Sequence, residues 1–194
     1  MSNAEVRCFA DNEIVAYENF HRSMAKDIQN LPASTPNPVG LAMLGWWEIG
    51  TYIDYVKLMF IQRILSLCSN SIYRVLFIQR FFWILHNQVI NDKSPIAVII
   101  KTCIRYNVLN KVIYAIESGT MPSKAEWRKF IKGTIKDRVF ADWRFSLNLY
   151  PKLTIFKTVV SDIKPICWWD MAKALKGIQI SMSKQLCWLN LECI

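Results

Sequence analysis

Helical periodicity dominates the chain. In residues 13–29, Ile14, Tyr17, His21 and Ala25 recur at three- and four-residue steps, the spacing of one helix face, with Glu18 as an alternative to Tyr17. Three prolines in residues 31–38 withdraw backbone donors and disfavour helical geometry before them, so a hard stop is expected there. A short turn at 41–44 precedes Gly45 and the pair Trp46–Trp47. Thr51 is a candidate cap for an apolar helix running through 67. Ser69, Asn70 and Ser71 break it, and Ser71 is a candidate N-cap for a second apolar helix to about 90. Residues 91–94 form a turn, with Pro95 suited to a first helical position. Residues 96–104 and 108–117 read as two short helices, with Tyr106 and Asn107 between them and Gly119 closing the second.

The sharpest local signal is "PSKAEW" at 122–127. Ser123 is an N-cap candidate, Glu126 can reach back to complete a capping box, and Pro122 and Trp127 hold the staple positions. Trp127, Ile131, Ile135, Val139 and Trp143 then form an unbroken four-residue apolar row, ending before Tyr150 and Pro151. Residues 153–160 read as a helix or a short strand, Pro165 breaks the chain before Trp168 and Trp169, and 170–191 reads as one more helix. The expected fold class is all-α: an irregular multi-helix bundle of about seven to eight helices with no substantial sheet. Its expected organisation is an N-terminal segment (1–12), a helical domain (13–169) and a C-terminal helix or tail (170–194).

Composition adds partners and compartment to this picture. With 53% apolar residues in 194, a packed core is feasible, and only six glycines and seven prolines favour a few long helices over many strands. The segments 52–67 and 75–90 are interrupted by Lys57, Gln62 and Arg63, and by Gln79, Arg80 and His86, so neither reaches the ~20 apolar residues of a membrane span. Five charged residues in the first twenty leave no apolar core for a signal peptide. The six cysteines lie far apart without a repeated spacing, as expected of free or buried thiols in a reducing compartment, cytoplasm or nucleus. The formal charge of +9 bears on binding partners.

Beside the apolar row of the long helix runs a basic one: Lys124, Arg128, Lys132 and Lys136 at strict four-residue steps, with Lys129 and Arg138 nearby. Such a stripe fits a polyanion, RNA or DNA, whose neutralised phosphates release counterions; a merely solvated helix face is the plainer reading. Other candidates carry less. "CFADN" at 8–12 has Asn12 where a two-metal polymerase turn needs its second carboxylate. Cys187 and Cys193, in "CWLNLEC", supply half of a four-ligand zinc site and no histidine follows them. His21 and His86 have no nucleophile beside them, and the tryptophan pairs fit buried anchors better than base-stacking rings. No phosphate loop, HExxH or GxSxG is present. No enzyme, metal, cofactor, membrane or small-molecule role is expected.

The order of these pieces resembles the region downstream of the reverse transcriptase in non-LTR (LINE-like) retrotransposon polyproteins of invertebrate animals. The likeness rests on Lys26, Ile28, Gln29, Leu31 and Pro32, then Thr35, Pro36, Leu44 and Gly45. Ile53, Asp54, Lys57, Leu58, Phe60, Arg63 and Leu65 follow, then Pro122, Ser123, Lys124 and Trp127, and last Tyr150, Pro151, Leu153 and Phe156. It covers most of residues 14–169. It implies that endonuclease and polymerase modules lie elsewhere, that a Cys/His knuckle often follows, and that the missing polymerase domain is a natural partner. Two functions are therefore expected: a non-enzymatic retrotransposon-derived fragment with nucleic-acid binding through the basic helix, or a helical protein-interaction or structural module.

Overall fold

The computed structural model describes residues 9–88, 94–159 and 163. The fold is all-α. Among the described residues eight α-helices follow in order: α1 (Asp11–Gln29), α2 (Asn37–Leu44), α3 (Ile49–Leu65), α4 (Ile72–His86), α5 (Pro95–Arg105), α6 (Leu109–Glu117), α7 (Lys124–Asn148) and α8 (Thr154–Val159), the last preceded by a 3-10 turn at Pro151–Leu153. Among the described residues there is no strand, so the ambiguous segment after Tyr150 resolves as helix. No described helix is long and apolar enough to cross a membrane. The expected helix at 170–191, Trp168, Trp169 and the cysteines 8, 167, 187 and 193 lie outside the described residues.

Left-handed residues end five of these helices. Asn30, Gly45, Gln88, Asn107 and Gly119 all have φ between 52° and 67°, each just past a helix end. After α2, the Trp46 N–H donates to the Leu41 carbonyl at 3.0 Å and the Gly45 N–H to the Ala42 carbonyl at 3.0 Å, the Schellman arrangement. Asn30 repeats it after α1, with Leu31 donating to Lys26, and Asn107 repeats it after α5.

Four local expectations are corrected by these geometries. Asn30, rather than the prolines, terminates α1. The region expected to be a proline stop and a short turn is instead the two-turn helix α2, because Pro36 at the N-cap and Pro38 in the first turn sit where no backbone donor is needed. Thr51 lies inside α3 rather than capping it. Gln88 closes α4 at His86, short of 90. At the next helix Ser94 supplies the cap: its Oγ accepts from the Ala97 N–H at 3.4 Å, with Pro95 in the first turn.

The described residues form two compact units. One comprises residues 9–11 and Gly50–Arg138. There α4 packs on α5 and α5 on α6. Its fully buried side chains include Leu58, Ile61, Phe81, Ile84, Ile100, Val112, Trp127, Ile131 and Ile135. Trp127 pins α7 to α3, its Nε1 donating to the Leu58 carbonyl at 2.9 Å.

The second unit comprises Asn12–Ile49, residues 139–159 and Ile163. Leu31, Val39, Ala42, Met43, Trp143, Leu147, Leu153 and Phe156 form its core. Trp143 donates from Nε1 to the Pro38 carbonyl at 2.9 Å and meets Phe156 edge-on. The α7 row thus supplies two cores in turn, Trp127 to Ile135 in the first unit and Trp143 with Leu147 in the second. A four-residue step advances the row by about 40° around the helix, so α7 has no single apolar face.

Candidate nucleic-acid interface

The start of α7 is set by its capping box. The Glu126 Oε2 accepts from the Ser123 N–H at 2.9 Å, and the Glu126 N–H donates to Ser123 Oγ at 3.3 Å. The Ser123 hydroxyl and backbone N–H hold the Glu126 carboxyl below its usual pKa. Burial of Trp127, Ile131 and Ile135 then fixes the rotation of the helix. The six basic residues expected at a phosphate-tracking site, Lys124, Arg128, Lys129, Lys132, Lys136 and Arg138, are all exposed, and all lie in the first unit. From Lys124 to Lys136 the stripe rises about 18 Å and winds about 120° around the helix, each rise of about 6 Å close to two phosphates of one strand. Gly133 interrupts this surface, and a Cβ built there would meet nothing within 4 Å, so the backbone at Gly133 is open.

The structure adds a cation that spacing did not reveal. Lys111 of α6 lies exposed with its Nζ 3.7 Å from the Phe130 ring centroid, which brings α6's charge beside α7. A contact across nineteen residues leaves no periodic trace.

Charge is partitioned along the chain. Residues 50–138 hold fourteen Lys and Arg against five Asp and Glu, while the remainder holds ten of each, so the entire formal +9 resides in that segment. It coincides with the main body of the first unit.

One acid of that unit is internal. Asp54 is buried and accepts from Arg105 Nη1 at 2.8 Å and from the Tyr106 hydroxyl at 3.2 Å, with Lys57 Nζ 3.6 Å away. Thr102 Oγ1 lies 3.4 Å from it but 3.0 Å from the Val98 carbonyl, which is the better acceptor for its single proton. Burial, reinforced by the Asp54 charge, pushes the Tyr106 phenol up to about 12. With the Asp54 charge met by Lys57 and Arg105, the cluster is a structural hub. Asp54 and Lys57 were recognisable as motif positions, but the ion pair of Asp54 with Arg105 was not, since the partners lie some fifty residues apart.

The other candidates also find structural roles. His21 is buried and stacks on Trp46 with 5.1 Å between ring centroids and 8° between planes, so Trp46 acts as an anchor. His86 is exposed at the end of α4. Among the described residues, no group of three or more His, Cys, Asp or Glu side chains is placed to hold a metal ion. Neither family models, nor curated proteins, nor solved structures provide a match to this chain.

Proposed function

We propose that this chain is a non-enzymatic helical fragment derived from a non-LTR retrotransposon polyprotein, binding RNA or DNA through the basic face of α7. The observation that carries the binding part of this reading is the concentration of the whole net charge in residues 50–138, with the α7 stripe exposed on a helix fixed by Trp127. Four positive heads at adjacent turns repel one another by about a few tenths of a kcal/mol per pair. A polyanion removes that cost and gains counterion release. The origin rests on the ordered motifs alone. The test is fluorescence anisotropy with labelled RNA and DNA across a salt series. Replacing Lys124, Arg128, Lys132 and Lys136 by Glu is expected to abolish binding and remove a salt slope of about three to four. Unchanged affinity in this variant, with the helical spectrum intact, refutes the assignment.

A second reading, a protein-interaction module, is favoured by α1. Its exposed face carries Tyr17, Phe20, Met24 and Ile28, while Glu18, His21 and Gln29 are buried. An exposed apolar stripe of this size is the usual mark of a docking surface. Light scattering after size-exclusion chromatography discriminates: a monomer at all concentrations argues against self-association through α1.

A further inference from the structure

The first unit exposes a second surface with an unusual combination of side chains. On α4, Phe77, Phe81 and Ile84 face the core. The exposed flank beside them is not polar: Ile72, Tyr73, Leu76, Arg80 and Trp83 fall within about 100° of the helix circumference. Tyr73 is 71% exposed and Trp83 46%, and the Arg80 guanidinium lies 4.2 Å from the Trp83 ring centroid. Ten residues separate the two rings, about 15 Å along the axis.

Charge selects the occupant. Between residues 49 and 88 the only acidic side chain is Asp54, buried against Lys57 and Arg105. The charge carried on the exposed arc itself, Arg80, is positive, while Arg74 lies about 150° from the middle of that arc and donates to the Leu67 carbonyl at 2.8 Å. A partner must therefore bring negative charge together with flat apolar faces. Ile72 and Leu76 would suit an acidic amphipathic helix. The two exposed rings, one already paired with an arginine, in a segment holding the whole net charge, favour unpaired nucleobases on a phosphate backbone.

We propose that the solvent face of α4 is a base-stacking surface, with Tyr73 and Trp83 as its platforms and Arg80 as the cation beside them, and that the protein consequently prefers single-stranded to duplex nucleic acid. This deepens the reading of α7 as a phosphate-binding face and rests on it, since stacking adds selectivity to an affinity that the phosphates supply.

The test uses the full chain and two probes at equal salt: a labelled oligo(U) 20-mer, and the same strand annealed to oligo(A). Wild type is expected to bind the single strand at least tenfold more tightly. Y73A/W83A is expected to lose about thirtyfold or more on the single strand and nothing on the duplex. Y73F/W83F, which keeps the rings, is expected to retain the preference and controls for folding. Equal affinity of Y73A/W83A and wild type for the single strand overturns the α4 proposal but leaves the α7 reading standing. No binding of either probe by wild type overturns both. An acidic Leu/Glu helical peptide that binds wild type but not Y73A/W83A, while oligo(U) affinity is unchanged in that variant, reassigns the face to a protein partner and likewise overturns it.

Discussion

Replacing Asp54 by Ala tests whether the first unit is organised around a buried charge. The carboxylate has two neighbours that depend on it and two that do not. Arg105 is largely exposed and can return to water, so its loss costs about 0–1 kcal/mol. Thr102 keeps its bond to Val98. The Tyr106 hydroxyl retains Thr51 as a donor but loses the acceptor for its own proton, a cost of about 1–3 kcal/mol. Lys57, whose side chain is only 11% exposed, is left as a cation without its counterion. The total expected for breaking such a pair is about 3–5 kcal/mol, a large part of the stability of a domain this size. Urea unfolding followed by circular dichroism at 222 nm measures it, the midpoint falling at unchanged slope. D54N/K57M, which removes both charges and leaves an amide oxygen for Tyr106, is expected to recover most of the loss. A D54A cost below about 1 kcal/mol, or a double variant no better than D54A, refutes the account.

Two further outcomes follow from local geometry. Gly133→Ala is expected to stabilise the protein by about 0.8–1 kcal/mol, because the position is helical and exposed and the added methyl meets nothing; the urea midpoint reports it. Stability is also expected to fall in alkali. Burial pushes the Cys103 thiol from 9.0 to about 12, so the folded state holds its proton more tightly than the unfolded chain. That contribution is complete below about pH 9 and is lost as pH rises towards 12, with Tyr106 adding its own loss between about 10 and 12. A thermal midpoint that stays flat from pH 8 to 11 contradicts this.

Much of the helical architecture was legible because it follows local rules. The capping box of Ser123 and Glu126 and the row from Trp127 to Trp143 needed only spacing. Where the reading failed, a tertiary contact outweighed the local pattern. On α1 the alternative row is the buried one, with Glu18, His21 and Ala25 inward and Tyr17 outward, and polar bonds fix the end of the helix. Gln29 Nε2 donates to both the Ala25 and the Gly40 carbonyls at 2.7 Å, and Lys26 Nζ donates to the Ala33 carbonyl at 2.9 Å. Burial and the neighbouring Arg22 charge hold the Lys26 pKa below its usual value. The prolines pattern as a stop yet begin α2, since a proline's effect depends on whether its missing donor would have been used. The basic stripe was visible because it is periodic, whereas Lys111 and the partners of Asp54 depend on distant contacts.

The positions that carry the retrotransposon resemblance are largely fold determinants. Lys26 and Gln29 lock the loop after α1; Asp54 and Lys57 form the buried charge cluster. Trp127 ties α7 to α3, and Leu153 and Phe156 complete the second core. Of the stripe, only Lys124 belongs to the shared motif; Arg128, Lys132 and Lys136 do not. Resemblance and proposed activity therefore draw on almost disjoint residues. A chain could keep every motif position, and with them its fold, after losing the basic face, because substitutions on an exposed helix face cost little stability. Retention of the stripe must accordingly be judged by binding and not by the motifs. That is why the charge-reversal variant, which leaves the buried motif residues untouched, separates what this fold is from what it does.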